Sequence, residues 1–219
     1  MAYSPNLDVF PVETRVSRVV ERALAGFADA GAHVKEVEVD IETSRQKLIG
    51  LLNSQMSNQL QSTVEGFKME GIDLLGEHRD ELCEAVVSLI ESARGHAVGE
   101  NRRDGFLQTV VFDAIEDVFE SHDVFITPTL SVPPVKNDKD SQTVGPASVN
   151  GETVDPLIGW CLTYPLNFTD HPAISVPAGF TDDGLPIGLQ LIGQRFDDEL
   201  VLAAAFKGSR PWHDAYPPR

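Results

Sequence analysis

The chain has 219 residues, 42% of them hydrophobic, which suffices for one domain with a real core or a large piece of a bigger one. Acidic residues outnumber basic ones 34 to 17, for a net charge of −17, and such a surface repels nucleic acid and anionic membranes. No apolar run reaches the roughly 18 residues of a membrane-spanning helix, and the start MAYSPNLDVFPVETR lacks the basic and apolar regions of a secretory signal, so a cytoplasmic protein is expected.

The negative charge is spread along the chain rather than gathered in a tail, and only six of the basic residues are lysine. That pattern is read as a solubility adaptation to a high-salt, halophilic cytoplasm, where screening removes the self-repulsion. Cys83 and Cys161 lie far apart, and the six histidines are scattered, so neither a zinc site nor a disulfide framework is expected. Two free, buried thiols are expected instead.

In chain order, residues 2 to 8 read as the tail of a strand plus a loop. Val12, Val16, Val19, Val20, Ala23, Leu24 and Phe27 recur at helical spacing, with Gly31 as the C-terminal cap. Val37 and Val39 then alternate with Glu36 and Glu38 as in a half-buried strand. A helix–strand pair of this kind closes a βαβ unit, with the first strand clipped by the start of the chain. Residues 43 to 121 read as mostly helical, in three segments. The first opens at a Ser44 cap and carries Leu48, Leu51, Leu52, Met56 and Leu60. The second, Glu81 to Ala93, carries Leu82, Val86, Leu89 and Ile90. The third carries Phe106, Val110, Val111, Ala114, Ile115, Val118 and Phe119. These stripes are core, not a cofactor box.

Asp123 to Thr127 reads as a short buried strand ended by Pro128. A long polar loop follows over 130–155. Its Asp138, Asp140 and Gln142 resemble a calcium loop, but Thr143 and Val149 stand where that loop needs Gly and Glu, so no metal site is assigned. Ala173 to Phe180 is an apolar strand, Thr181 to Pro186 a turn with Gly184 free to take positive φ, and Ile187 to Gly193 the returning strand. Asp197 caps a last helix carrying Leu200, Val201, Ala204 and Ala205.

The run DVFITPTLSVPP, the segment Asn167-Phe-Thr-Asp-His-Pro-Ala-Ile-Ser-Val-Pro-Ala-Gly179 and the hairpin Gly184-Leu-Pro-Ile-Gly-Leu-Gln190 together resemble the amidase signature family. The opening AYSPNLDVFPVETRV and the tail Arg210-Pro-Trp212 extend the likeness over nearly the whole chain. Two positions depart from the pattern. Asp170 stands where the family has Gly, which implies a strained backbone or an altered turn. Gly208 stands where Glu is common, and reads as relaxed constraint.

The resemblance implies an α/β fold, the C-terminal part of the amidase-signature architecture, with a mixed β-sheet flanked by helices. Residues 1–219 are then one partial amidase domain. It also implies hydrolysis of a carbon–nitrogen amide bond, with no cofactor, by a serine activated through a second serine and a lysine. Those groups belong to a Gly-Gly-Ser-Ser-Gly-Gly-like stretch and an earlier lysine, and this sequence has no Ser-Ser pair. No catalytic residue is therefore assigned, and the chain is expected to be inactive alone. As substrate-pocket elements the resemblance supplies Thr127, Pro128 and Thr129, on the acyl side, and Asn167 and His171, flanking the turn before the next strand. The structural alternative for the last two is a backbone-satisfying asparagine and a partly exposed turn histidine.

The expected partner is the amidase half that carries the nucleophile, together with a small-molecule amide. Without that half, an unpaired strand edge would drive self-association. Two other functions compete with this one: part of the A chain of a tRNA-dependent amidotransferase, and a non-catalytic remnant or binding subunit.

Overall fold

The computed structural model describes residues 1–93, 98–137 and 143–209. Within these the chain divides into two compact units, one comprising residues 1–45 and 109–209 and the other residues 46–108. The first contains β1 (Ala2–Tyr3), α1 (Thr14–Asp29), β2 (Lys35–Glu36), β3 (Val124–Pro128), β4 (Ser148–Val149), β5 (Glu152–Thr153), β6 (Ala173–Phe180), β7 (Pro186–Gly193) and α5 (Asp198–Ser209). The helices α2 (Arg45–Met69), α3 (Glu84–Ala93) and α4 (Val98–Phe119) complete the chain.

One mixed five-stranded sheet organises the first unit, in the order β2-β1-β3-β7-β6. The segment β1–α1–β2 is the expected βαβ unit, with β1 parallel to both β2 and β3. β7 runs antiparallel to β3 and to β6. The apolar stripe of α1, Val16, Val19, Val20, Ala23 and Phe27, is buried together with Val124 and Ile126 of β3, Leu189 and Leu191 of β7 and Val201, Ala204 and Ala205 of α5. One sheet face is thus covered by α1 and α5. The first helix ends as its sequence indicates. Gly31 takes φ +94°, its N–H donates to the Ala28 carbonyl, and the N–H of Ala32 donates to that of Phe27, which satisfies the last carbonyls of the helix.

Several expectations are corrected. β2 is only Lys35–Glu36, both exposed, because the Asp8 carboxylate takes the N–H of Val39 at 2.5 Å and ends the ladder there. In α2, Leu48, Leu51 and Leu52 are buried but Met56 is 45% exposed, while Ser54 and Ser57 are buried. A hydrogen bond from Ser54 to Asp104 at 2.6 Å offsets the burial of that hydroxyl. Of the third helical stripe, Phe106 is exposed. Cys83 is exposed and Cys161 half-buried, and both are free thiols.

The long polar loop holds structure of its own. Asn150 and Gly151, at φ +50° and +84°, form the tight turn of the β4–β5 hairpin, the conformation that an Asn-Gly pair favours. Beneath it Val132, Val149, Val154 and Trp160 form a separate small core. The calcium-loop lookalike at Asp138, Asp140 and Gln142 lies outside the described residues, as does Arg210-Pro-Trp212.

Asp170 takes φ +55°, the left-handed conformation for which Gly is suited, so the strain expected of this departure is present. Gly208 is not relaxed. A Cβ there would lie 2.2 Å from Cε1 of Phe27, so α5 meets α1 with no room for a side chain.

Candidate functional site

Strand alternation puts Val124, Ile126 and Pro128 of β3 toward the helix-covered face, and Thr127 and Thr129 toward the other. By the same rule Gly188 and Gln190 of β7, and Ala173, Ser175 and Pro177 of β6, share the face of the two threonines. The register brings them side by side, with Thr127 opposite Gln190 and Ser175 opposite Gln190 on the other flank. The result is a polar row crossing three strands of an otherwise apolar sheet.

The row has an enclosed end and an open end. Thr127 is fully buried, its hydroxyl donating to the Pro128 carbonyl at 3.0 Å and accepting from Nε2 of Gln190 at 3.3 Å. Gln190 is itself buried. At the open end the hydroxyls of Thr129 and Ser175 meet at 2.7 Å. Ser175 is exposed and Thr129 half-buried. Gly188 lies beneath this pair, and a Cβ there would come within 2.9 Å of both hydroxyl oxygens. Two hydroxyls carry two protons, and the bond between them uses one. The second remains as a donor at the open end of the row, suited to a carbonyl oxygen.

The other two expected pocket residues lie elsewhere in the same unit. Asn167 and His171 flank the strained Asp170 turn, which opens on a hollow of about 390 Å³ lined also by Pro172, Phe196 and Asp198. Asn167 is exposed. The side chain of His171 is wholly enclosed, and so is not the partly exposed turn residue of the structural alternative. Its ring stacks on Phe119 at 5.3 Å and packs against Phe112 at 5.7 Å, and the Arg195 guanidinium lies over the Phe112 ring. Burial pushes the imidazole pKa down, and Glu116, 3.3 Å from Nε2, opposes that shift. His171 is therefore a buried ring packed on two phenylalanines in the turn leading into β6.

Of the five candidates, then, Thr127 and Thr129 join one polar row, Pro128 points away from it, and Asn167 and His171 belong to a second location. Ser175, Gly188 and Gln190 escaped sequence reasoning as site residues. The signal for them was available in the alternation of two antiparallel strands, which places every second residue of β6 and β7 on the threonine face. Among the remaining groups, burial raises the Cys161 thiol to about 11, which makes it a poor nucleophile near neutral pH. No group of three or more metal-ligating side chains occurs among the described residues, and no helix among them is long and apolar enough to cross a membrane.

Residues 1–202 match the family model Amidase. The chain is 32% identical to an acylamidase of Rhodococcus erythropolis, across 99% of this chain and 43% of that protein. It is 28% identical to the A chain of the glutamyl-tRNA(Gln) amidotransferase of Streptococcus sanguinis, across 94% of this chain and 43% of the relative. Among solved structures, a bacterial aryl acylamidase of the amidase signature enzymes superposes with a TM-score of 0.89 and 37% identity, covering all of this chain and 46% of that one. The chain thus spans less than half the length of these relatives.

Proposed function

The chain belongs to the Amidase family, and from that premise we propose that it forms the sheet and part of the substrate pocket of a serine-dependent amide hydrolase. The nucleophile comes from the part of the Amidase fold that this chain does not span. The observation that carries this reading is the polar row on the face of the sheet opposite α1 and α5. Hydroxyl pairs at 2.7 Å, held over a glycine that cannot gain a side chain without displacing them, suit recognition of an amide carbonyl. The sequence holds no Gly-Gly-Ser-Ser-Gly-Gly-like stretch of the kind that raises a serine's reactivity in this family.

Within this reading Thr129 and Ser175 face the substrate, Thr127 and Gln190 form the buried end of the same polar row, and Pro128 ends the strand that carries the threonines. Asn167 and His171 shape the approach by fixing the turn before β6. The substrate class follows the acylamidase relatives, which match at 32% and 37% identity over nearly the whole chain, whereas amidotransferase A chains reach 39% over only 51% of it. It is an acylated amine, with anilides the first choice. The location proposed is the cytoplasm, in keeping with the acidic composition of the chain.

The test is hydrolysis of 4-nitroacetanilide by this chain alone, by the complementary portion of the Rhodococcus erythropolis acylamidase alone, and by the two together. Turnover only in the mixture supports the proposal. Turnover by this chain alone sinks it, and an inactive but tightly associated mixture favours a non-catalytic subunit.

A further inference from the structure

Basic residues are scarce in this chain, 17 against 34 acidic ones, yet three of them share one stripe of α1. Arg15, Arg18 and Arg22 stand three and four residues apart, so they lie along one side of the helix. Helix stability does not call for them there. The first turn of α1 has no acidic residue, and Arg15 and Arg18 sit near the end where the helix dipole disfavours positive charge. All three line one hollow of about 470 Å³, together with Val19 and Glu21 of the same helix and Thr181 and Asp182 of the turn between β6 and β7. The hollow lies against α1, which covers the sheet face opposite the polar row.

Charge pairing inside the hollow is incomplete. Arg15 is occupied: its Nε donates to the Glu13 carboxylate at 2.5 Å, and its guanidinium lies 3.7 Å from Asp183. Arg22 spends its Nε on the Arg18 carbonyl at 3.3 Å. Among the described residues the ion pairs of the three arginines are those of Arg15 alone. Arg18, Arg22, Glu21 and Asp182 therefore face one hollow, all four exposed, without pairing among themselves. Glu21 is three residues from Arg18, a spacing at which opposite charges meet on a helix, and still the two stay apart. The wall across from the helix is fixed. The Thr181 hydroxyl donates to Asp183 at 2.5 Å and accepts from the Leu185 N–H at 2.9 Å, so the turn holds the main chain at Asp182 in place.

We propose that this hollow binds a small zwitterion, a free amino acid or a short peptide, with its carboxylate on the Arg18 and Arg22 guanidiniums and its ammonium on Asp182 and Glu21. Planar guanidiniums suit a carboxylate, which they grip through two N–H groups at once. A plain anion would meet Asp182 and Glu21 as like charges, and a plain cation would meet Arg18 and Arg22 in the same way. Only a ligand carrying both signs uses all four groups. The volume of about 470 Å³ falls within the range of small-molecule sites. This site goes beyond the proposed function, since it neither uses the polar row nor needs the rest of the Amidase fold.

The experiment titrates this chain at pH 7 and low salt with glycylglycine, N-acetylglycylglycine and glycylglycinamide, following the backbone amides by NMR. Saturable shifts at Arg18 to Arg22 and at Thr181 to Asp183 with glycylglycine, weakened about five- to tenfold by capping either end, support the proposal. Glycine as a fourth ligand separates the two sources: tighter binding than glycylglycine assigns the site to a free amino acid, weaker binding to a peptide. Two variants assign the ends. Asp182→Asn narrows the gap between glycylglycine and its N-acetyl form, and Arg18→Gln with Arg22→Gln narrows the gap to the C-terminal amide. Because all three side chains are exposed, the melting temperature stays nearly unchanged in both. Equal binding of the N-acetyl form to the parent chain makes this a plain anion site, equal binding of the amide a plain cation site, and either overturns the proposal. So does the absence of saturable shifts at these residues, and so do variants that bind all the ligands as the parent does.

Discussion

Replacing Gly208 with Ala sets helix propensity against packing, and the structure says which wins. Propensity favours Ala over Gly by about 0.8–1 kcal/mol in a helix interior, and by less this close to the end of α5. Against it, the new Cβ would lie 2.2 Å from Cε1 and 2.3 Å from Cζ of Phe27. That ring is 2% exposed and shares the core with Val16, Val20 and Ala204. The buried ring has to shift against those neighbours, and forced overpacking of this kind costs about 1–3 kcal/mol. The balance is a net loss of about 1–2 kcal/mol, or about 2–8 °C in melting temperature for a chain of this size. Thermal unfolding followed by circular dichroism measures it. The double variant Phe27→Leu with Gly208→Ala isolates the cause, because the second change costs less once the ring is gone, giving a coupling of about 1 kcal/mol. A Gly208→Ala protein that melts at or above the parent temperature, or a coupling of zero, refutes the packing argument.

Four further outcomes follow from the same geometry. Gly188→Ala pushes the Thr129 and Ser175 hydroxyls apart; it leaves stability within about 1 kcal/mol and lowers kcat/KM of the assembled enzyme by about three- to tenfold, and an unchanged kcat/KM removes the hydroxyl pair from the substrate site. Arg45→Ala removes hydrogen bonds to the Val9 and Thr153 carbonyls and to the Glu152 carboxylate, at a cost of about 1–2 kcal/mol discounted for the exposure of Glu152; Arg45→Lys recovers little, and urea titration compares the three. The pKa of His171 is depressed in the folded state by burial, with Arg195 adding and Glu116 and Asp170 opposing, so its contribution is fully present above the ordinary imidazole pKa of about 6.5 and is lost as pH falls below it; His171→Phe flattens that part of the stability-against-pH curve, and identical curves contradict the enclosed neutral ring. Unfolding in a KCl series from low to multimolar salt rises in midpoint as the net charge of −17 is screened, and equal midpoints remove the halophilic reading.

How far the sequence carried these conclusions differs from element to element. Periodicity located α1, β3, β6, β7 and α5, because each buries a stripe or face whose spacing is set by local geometry. It overreached in α2, where Ser54 takes a buried position that apolar spacing assigns to Met56, since the bond to Asp104 spans 50 residues. It overextended β2 for a similar reason, the carboxylate of Asp8 capturing the N–H of Val39 from 31 residues away. The Asn150-Gly151 turn was legible from its dipeptide and was passed over inside a long polar stretch.

At the site, motif reading supplied Thr127, Pro128 and Thr129 as one run, yet pleating separates Pro128 from the other two. Their neighbours Ser175, Gly188 and Gln190 come from strands some 50 to 60 residues further along the chain, and pairing alone brings them in. The enclosure of His171 by Phe112 and Phe119 is tertiary in the same sense. Departures from the family pattern had to be judged in three dimensions: Asp170 is strained as its backbone angle required, whereas Gly208 is demanded by its neighbour on α1.

The central claim is that this chain contributes sheet and pocket while another portion of the Amidase fold contributes the nucleophile. A serine-directed fluorophosphonate probe tests it most directly, applied to this chain, to the complementary acylamidase portion and to their mixture, with the labelled residue mapped by mass spectrometry. The expected result is no label on this chain, alone or in the mixture, and labelling of the complementary portion that increases on mixing. Stoichiometric labelling of Ser175, or of any other serine in this chain, together with amide turnover, would contradict it.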